Sequence, residues 1–184
     1  MHNQKNIPLE EILNKMRKYC AFQERCVSDV KKKIDKFLVS KNDKIQIINS
    51  LTIERYIDEE RFAISYCQGK FNIKKWGKQK IKNELIKKKI SRENIETAIN
   101  SISNTDYIKS INNLIDFKIK FIKDKDVFKR NGKLARFLLQ RGYEFDIIWK
   151  LLVSACDFIH TRSGATNKCR SSRCCLDIFI VSSK

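Results

Sequence analysis

YIDEERFAISYCQGKFNIKKWGKQKIKNEL, residues 56–85, sets three consecutive carboxylates ahead of an apolar face and then one lysine after another around a tryptophan and a glycine. To act as a paired acid and base, Asp58, Glu59 and Glu60 would have to converge on one substrate. Consecutive residues of a helix point in different directions, so they cannot. The same order suits a helix start. Asp58 can accept from free N–H groups, and Glu59 and Glu60 lie where the helix dipole favours negative charge by about 0.3–1 kcal/mol each. Phe62 and Tyr66, four apart, then bury one side. The stretch reads as a capped helix, a short link at Gly77 and a second, strongly basic helix from about Lys78 to Lys89.

Working outward, the same grammar recurs. Leu9, Ile12, Leu13 and Met16 form the face of an opening helix, with Pro8 tolerated in its first turn. Three later segments share one template, an apolar pair four apart, a link, and a second such pair. They are Val30/Ile34 with Ile47/Leu51, Ile81/Leu85 with Ile95/Ile99, and Leu134/Leu138 with Ile148/Leu152. The links in the second and third are equal, and the first is longer around VSKNDK (39–44). Ser91 is placed to cap a helix, and Gly142 suits a helix end. A further helix follows the first two pairs, starting at DEERFAISYC (58–67) and DYIKSINNLIDFKIKFI (106–122).

One proline and five glycines in 184 residues disfavour turn-rich β structure, so the fold class expected is all-α, an elongated, curved array of tandem three-helix repeats. The units expected are an N-terminal helix (1–17), a three-helix repeat at 18–66, a second at 67–122, a partial third at 123–153, and an atypical, unstructured tail at 154–184. Each is too small to bury its own core and relies on its neighbours.

The formal charge is +18, and residues 70–92 carry ten basic side chains against Glu84 alone. Residues 118–141 carry nine against Asp124 and Asp126. Solvated lysines written by an AT-rich genome would explain part of this; a polyanion-binding face would explain the clustering. With Ile81 and Leu85 inward, Lys80 and Lys87 fall on roughly the opposite face, and Arg136 lies opposite Leu134 and Leu138. Stacked in register, such positions form a basic strip able to neutralise phosphates. From the middle unit the candidate contacts are Lys74, Lys75, Lys78, Lys80, Lys87 and Lys88. From the third they are Arg130, Arg136 and Arg141. No recognition helix with a base-reading pattern accompanies them, so little sequence specificity is expected. Trp76 could stack on a base or simply pack.

Other chemistry is not supported. The glycines are isolated and make no phosphate loop, and His2 and His160 are too few and too peripheral for a histidine-based triad, so neither catalysis nor a cofactor is expected. No apolar run is long enough to span a membrane and the N-terminus lacks a signal-peptide core, which points to the cytoplasm. Cys20, Cys26 and Cys67 then read as small buried hydrophobes.

Three stretches, YCAFQERCVSDVKKKI (19–34), IDEERFAISYCQGKFNIKKWGKQKIKNEL (57–85) and KLARFLLQRGYEFDIIWKLL (133–152), resemble the RecX family in order and spacing, over roughly residues 9–153. The details look most like the version found in Bacteroidetes. The resemblance implies a non-enzymatic role in DNA recombination, DNA repair and the SOS response: binding the RecA filament in its deep groove, on single- and double-stranded DNA, and suppressing ATP hydrolysis, strand exchange and coprotease activity. It implies no membrane association and is read with a monomer. Carried-over motif positions, mainly structural, are Asp58, Glu59, Arg61 and Phe62 for the capped helix, Trp76 and Gly77 at the entry to the middle unit, and Arg141, Gly142 and Tyr143 at the last link. Arg141 is open between partner contact and a carboxylate inside the fold. The alternative is a non-specific helical-repeat nucleic-acid-binding protein without RecA specificity.

Past Val153 both stripe and resemblance stop. Cys156, His160, Cys169 and Cys174 can be written as a zinc set, though in unfamiliar spacing, and a functional cysteine tail that also includes Cys175 is a second option. An unstructured or frame-shifted end is the reading preferred, and no metal is assigned.

Overall fold

The apolar pairs become helices. In the computed structural model, which describes the backbone of residues 8–162 and the side chains of residues 8–153, these are α1 (Leu9–Phe22), α2 (Val27–Ile34), α3 (Lys41–Ile53), α4 (Glu59–Lys74), α5 (Lys78–Lys87), α6 (Arg92–Asn100), α7 (Asn104–Ile119), α8 (Val127–Gln140) and α9 (Phe145–Arg162). No strand occurs among the described residues. The all-α repeat array expected from the sequence is present. Every paired position of the template except Ile99 is buried.

The described residues divide into two units, a packed body that ends at Trp149 and a second unit that begins at Lys150 and holds the rest of α9. In that unit the backbone stays helical through Arg162, beyond the break read at Val153. The side chains of Cys156 and His160, all of Cys169, Cys174 and Cys175, and His2 lie outside the described residues.

Within the body, one apolar cluster unites α1, α2 and α3 through Ile12, Met16, Val30, Ile34, Ile47 and Leu51. The next triplet packs α4, α5 and α6 on one another, and α7 packs on α8. The second triplet and the α7–α8 pair thus begin with the long helices that the sequence pattern attached to the ends of the preceding units. Periodicity identifies a helix's buried face but not which neighbour covers it.

The helix ends follow from local chemistry. Asp58 accepts from the Arg61 N–H at 2.9 Å, Ser91 from the Asn94 N–H at 3.3 Å, and Asp126 from the Phe128 N–H at 2.8 Å. The longer first link holds a reciprocal cap between Ser40 and Asp43. The carboxylates of the opening stretch therefore serve a helix start. Cys20, Cys26 and Cys67 are buried and unpaired in disulfides. Burial pushes all three thiols up, those of Cys20 and Cys67 to about 11, which leaves them protonated and unreactive.

Helices α3, α5 and α8 end alike. In α5 the Ile90 N–H donates to the Leu85 carbonyl and the Lys89 N–H to the Ile86 carbonyl, which places Lys89 in the left-handed region at φ 63°. Gly142 holds the same station after α8 at φ 83°. A lysine there bears a strain that glycine does not. We expect Lys89→Gly to stabilise the fold by about 0.5–1 kcal/mol, seen as a higher urea midpoint with unchanged slope. A lower midpoint would show that this end is not what limits the helix.

Candidate nucleic-acid interface

Two glycines 65 positions apart in sequence make the joint between the second and third modules. The Gly77 N–H donates to the Arg141 carbonyl at 2.8 Å, and the Gln79 N–H to the Gly142 carbonyl at 3.1 Å. A Cβ on Gly77 would stand 2.2 Å from the Gly142 oxygen, and one on Gly142 would stand 2.3 Å from Lys80 Cβ. The close backbone approach therefore requires both to lack a side chain. Gly77 is also the N-cap of α5, so the start of that basic helix is fixed by the α8–α9 link.

Around the joint the phenols of Tyr107 and Tyr143 absorb backbone groups that would otherwise be orphaned. Tyr107 on α7 accepts from the Lys78 N–H at 3.0 Å and donates to Glu144, while Tyr143 donates to the Lys75 carbonyl at 3.2 Å and adjoins Ser110 Oγ. The rings of Phe71, Tyr107 and Tyr143 follow one another at 5.9 and 5.2 Å. Burial pushes both phenols up, with Glu144 adding to the effect at Tyr107, so they remain neutral partners.

This joint brings basic side chains of two modules onto one surface. The Lys80 ammonium lies 4.8 Å from the Trp76 ring and donates to the Gln140 carbonyl at 3.3 Å; Lys70 approaches the same ring at 5.2 Å. One turn before Gln140 on α8, Arg136 is exposed at the wall of a cavity of about 600 Å³. Lys118, Lys123 and Lys133 line the same cavity, with Asp124 held by Lys133 at 2.6 Å. A continuous cationic path thus runs from Lys70 past Trp76, Lys80 and Gln140 to Arg136 and the cavity. Chemically, such a row is suited to a polyanion, whose phosphates it can take up on release of counterions. Trp76 is half-buried between two ammonium groups, which favours packing over base stacking.

Other candidate contacts have different surroundings. Lys88 donates to both carboxylate oxygens of Asp29 at 2.7 and 2.8 Å and sits over Phe62, so it ties α5 to α2. Lys87 is exposed but paired with Glu84 at 2.8 Å. The Lys78 ammonium covers Tyr107, and the Arg141 guanidinium covers Phe137 at 4.2 Å, an aromatic partner in place of the carboxylate considered from sequence. Lys74 and Lys75 are exposed at the end of α4, and Arg130 is half-buried on α8.

Of the motif positions, Glu59 lies in the first turn of α4 and Phe62 is buried beneath Lys88. Arg61 donates to Glu24 at 2.7 Å and to the Arg55 carbonyl at 3.1 Å, bracing α4 against the α1–α2 and α3–α4 links. Sequence reasoning missed Lys70, Lys118, Lys123, Lys133 and Gln140 as parts of the path. The charge density of 118–141 pointed to the region, but nothing in it identified which side chains share a wall. Among the described residues no group of three His, Cys, Asp or Glu could hold a metal ion, and no helix is long and apolar enough to cross a membrane.

Comparison with known proteins agrees with this modular build. The family model for the second three-helix domain of RecX matches residues 58–99, and that for the third matches residues 116–152. The first of these spans α4 to α6, the triplet defined by packing. Regulatory protein RecX of Clostridium tetani (strain Massachusetts / E88) is 30% identical over 109 residues, which cover 58% of this chain and 50% of that protein. Regulatory protein RecX of Clostridium acetobutylicum is 33% identical over 117 residues, covering 60% and 54%. The chain spans about half the length of the curated relatives it matches. The crystal structure of RecX from Lactobacillus salivarius superposes with a TM-score of 0.72 at 22% identity, covering 82% of this chain and 97% of that one. Another crystal structure of regulatory protein RecX gives 0.71 at 19% identity, covering 79% and 71%. At these identities the two structures speak to the fold alone, and the domain matches and named relatives carry the assignment: the chain belongs to the RecX family.

Proposed function

We propose that this protein is an inhibitory regulator of RecA, lying in the groove of the RecA–DNA filament and suppressing its ATPase, strand-exchange and coprotease activities, with DNA as a second contact. The observation that carries the reading is the path joining Lys80 and Arg136 across the Gly77–Gly142 joint, on a chain whose relatives are named regulatory protein RecX. Linked modules can touch neighbouring filament subunits and phosphates at once, and several weak contacts then add up to strength that no single patch supplies. The work asked of the protein is binding. Of its opening carboxylates, Asp58 caps α4 and Glu59 and Glu60 lie in its first turn, and the reading assigns the protein no bond-making step.

The test is titration of the protein into RecA hydrolysing ATP on single-stranded DNA, beside a pull-down with RecA. Slowing of ATP hydrolysis with co-recovery of RecA is expected. Tight DNA binding in low salt with RecA unbound and its ATPase untouched would replace the proposal with a general nucleic-acid-binding protein, a reading the same cationic path also favours.

A further inference from the structure

We infer that the cavity between the end of α7 and α8 is a site for an unpaired nucleic-acid strand, with Phe121 as the stacking platform and Lys123 and Arg136 as the phosphate contacts. The inference rests on the DNA contact proposed above and goes further, because it names a strand state and a binding place.

A duplex presents phosphates and shielded bases, so a surface that serves it alone needs cations and no exposed rings. This surface has both. Phe117 and Phe121 are 58% and 65% exposed, tilted on each other at 5.1 Å, and Phe128 is 55% exposed nearby in sequence. Three large rings in twelve residues facing water are unfavourable without a partner. Phe137 is not among them. Its ring is covered by the Lys118 ammonium at 5.3 Å and the Arg141 guanidinium at 4.2 Å, so it forms a wall and Phe121 is the ring left open at the cavity.

The charges fit the same occupant. Lys133 is held by Asp124, whereas Lys123 and Arg136 make no ion pair among the described residues. A cavity of about 600 Å³ is ample for one nucleotide, and pockets for small organic groups run from about 300 to 1,000 Å³. Gln140 lies both at this cavity and beside Lys80, so a strand held along the cationic path can continue into it without leaving the positive surface. Every base has a π-face, and stacking on one ring with phosphates on two cations gives affinity without sequence preference.

The experiment measures fluorescence anisotropy of labelled oligothymidylate, a duplex of the same length and an oligoglutamate peptide, with full-length wild type, Phe121→Ala and Phe121→Trp. Circular dichroism melts of each protein accompany it; Phe121 is exposed, so unchanged melts are expected. Phe121→Ala should weaken single-strand binding roughly tenfold, within the span of base–aromatic stacking, and leave duplex binding within about twofold. Phe121→Trp should restore the single-strand affinity. Equal losses for strand and duplex, or no loss for either, would overturn the inference. So would oligoglutamate binding more tightly than oligothymidylate and depending on Phe121, which would make the cavity a peptide site. RecA ATPase inhibition is read in parallel on the same variants. Inhibition by a wild type that binds no single strand would sink this site and leave the regulatory proposal standing.

Discussion

Gly77→Ala is expected to cost about 3–5 kcal/mol of unfolding free energy, a large share of the ~5–15 kcal/mol typical of a small protein. The added methyl would sit 2.2 Å from the Gly142 carbonyl oxygen, 2.3 Å from its carbon and 2.4 Å from the Tyr143 nitrogen. All three atoms are backbone, so no flexible side chain can yield. Overpacking of this kind costs about 1–3 kcal/mol. The shift needed also strains the bonds from Gly77 N–H to Arg141 and from Gln79 N–H to Gly142, each worth roughly 0.5–1.5 kcal/mol. Gly142→Ala should be at least as damaging, because it adds a left-handed backbone at φ 83° to the approach of Lys80. Gly69 and Gly132 supply the internal control. Both lie inside helices with nothing within 4 Å of an added Cβ, so their alanine variants should gain about 0.5–1 kcal/mol. Urea unfolding of the four variants decides the matter. If Gly77→Ala melted within 1 kcal/mol of Gly69→Ala, the close approach of the two links would not exist in solution.

That joint also shows where sequence reasoning reaches its limit. Helix class, the apolar pairs, the caps at Asp58 and Ser91 and the helix end at Gly142 were all legible, because each is set by residues within about four positions of one another. The grouping of helices into triplets was not. A buried stripe on α4 is compatible with a neighbour on either side in the chain, and only packing assigns α4 to α5 and α6. The fate of individual lysines was less legible still. Lys88 finds Asp29 across 59 positions and Lys80 finds Gln140 across 60, so a helical wheel that correctly marks both as outside the core cannot tell a bracing lysine from one left to solvent. The aromatic cavity was hidden for the same reason, since Phe121 reads as the tail of α7 until α8 folds back beside it.

These two classes of lysine give the second large effect. Lys80→Glu combined with Arg136→Glu should lower DNA affinity on the order of a hundredfold in low salt, because two phosphate contacts become repulsions on one continuous path. The dependence of log affinity on log salt should flatten by about 1.8 for duplex DNA, at roughly 0.9 for each phosphate contact removed. Lys87→Glu should change affinity far less, since Glu84 already offsets that charge at 2.8 Å. Lys88→Glu should act through stability instead, setting a carboxylate against Asp29, whose side chain is only 17% exposed, and lowering the melting temperature while the salt slope stays near wild type. Lys80→Met checks that the double variant acts through charge, because it removes the hydrogen bond to Gln140 without adding repulsion. Affinity from anisotropy titrations across a salt series, with melts of each variant, separates the outcomes. If Lys87→Glu weakened binding as much as the double variant, the lysines would contribute only a diffuse positive field, and a defined path across the joint would have no part in holding DNA.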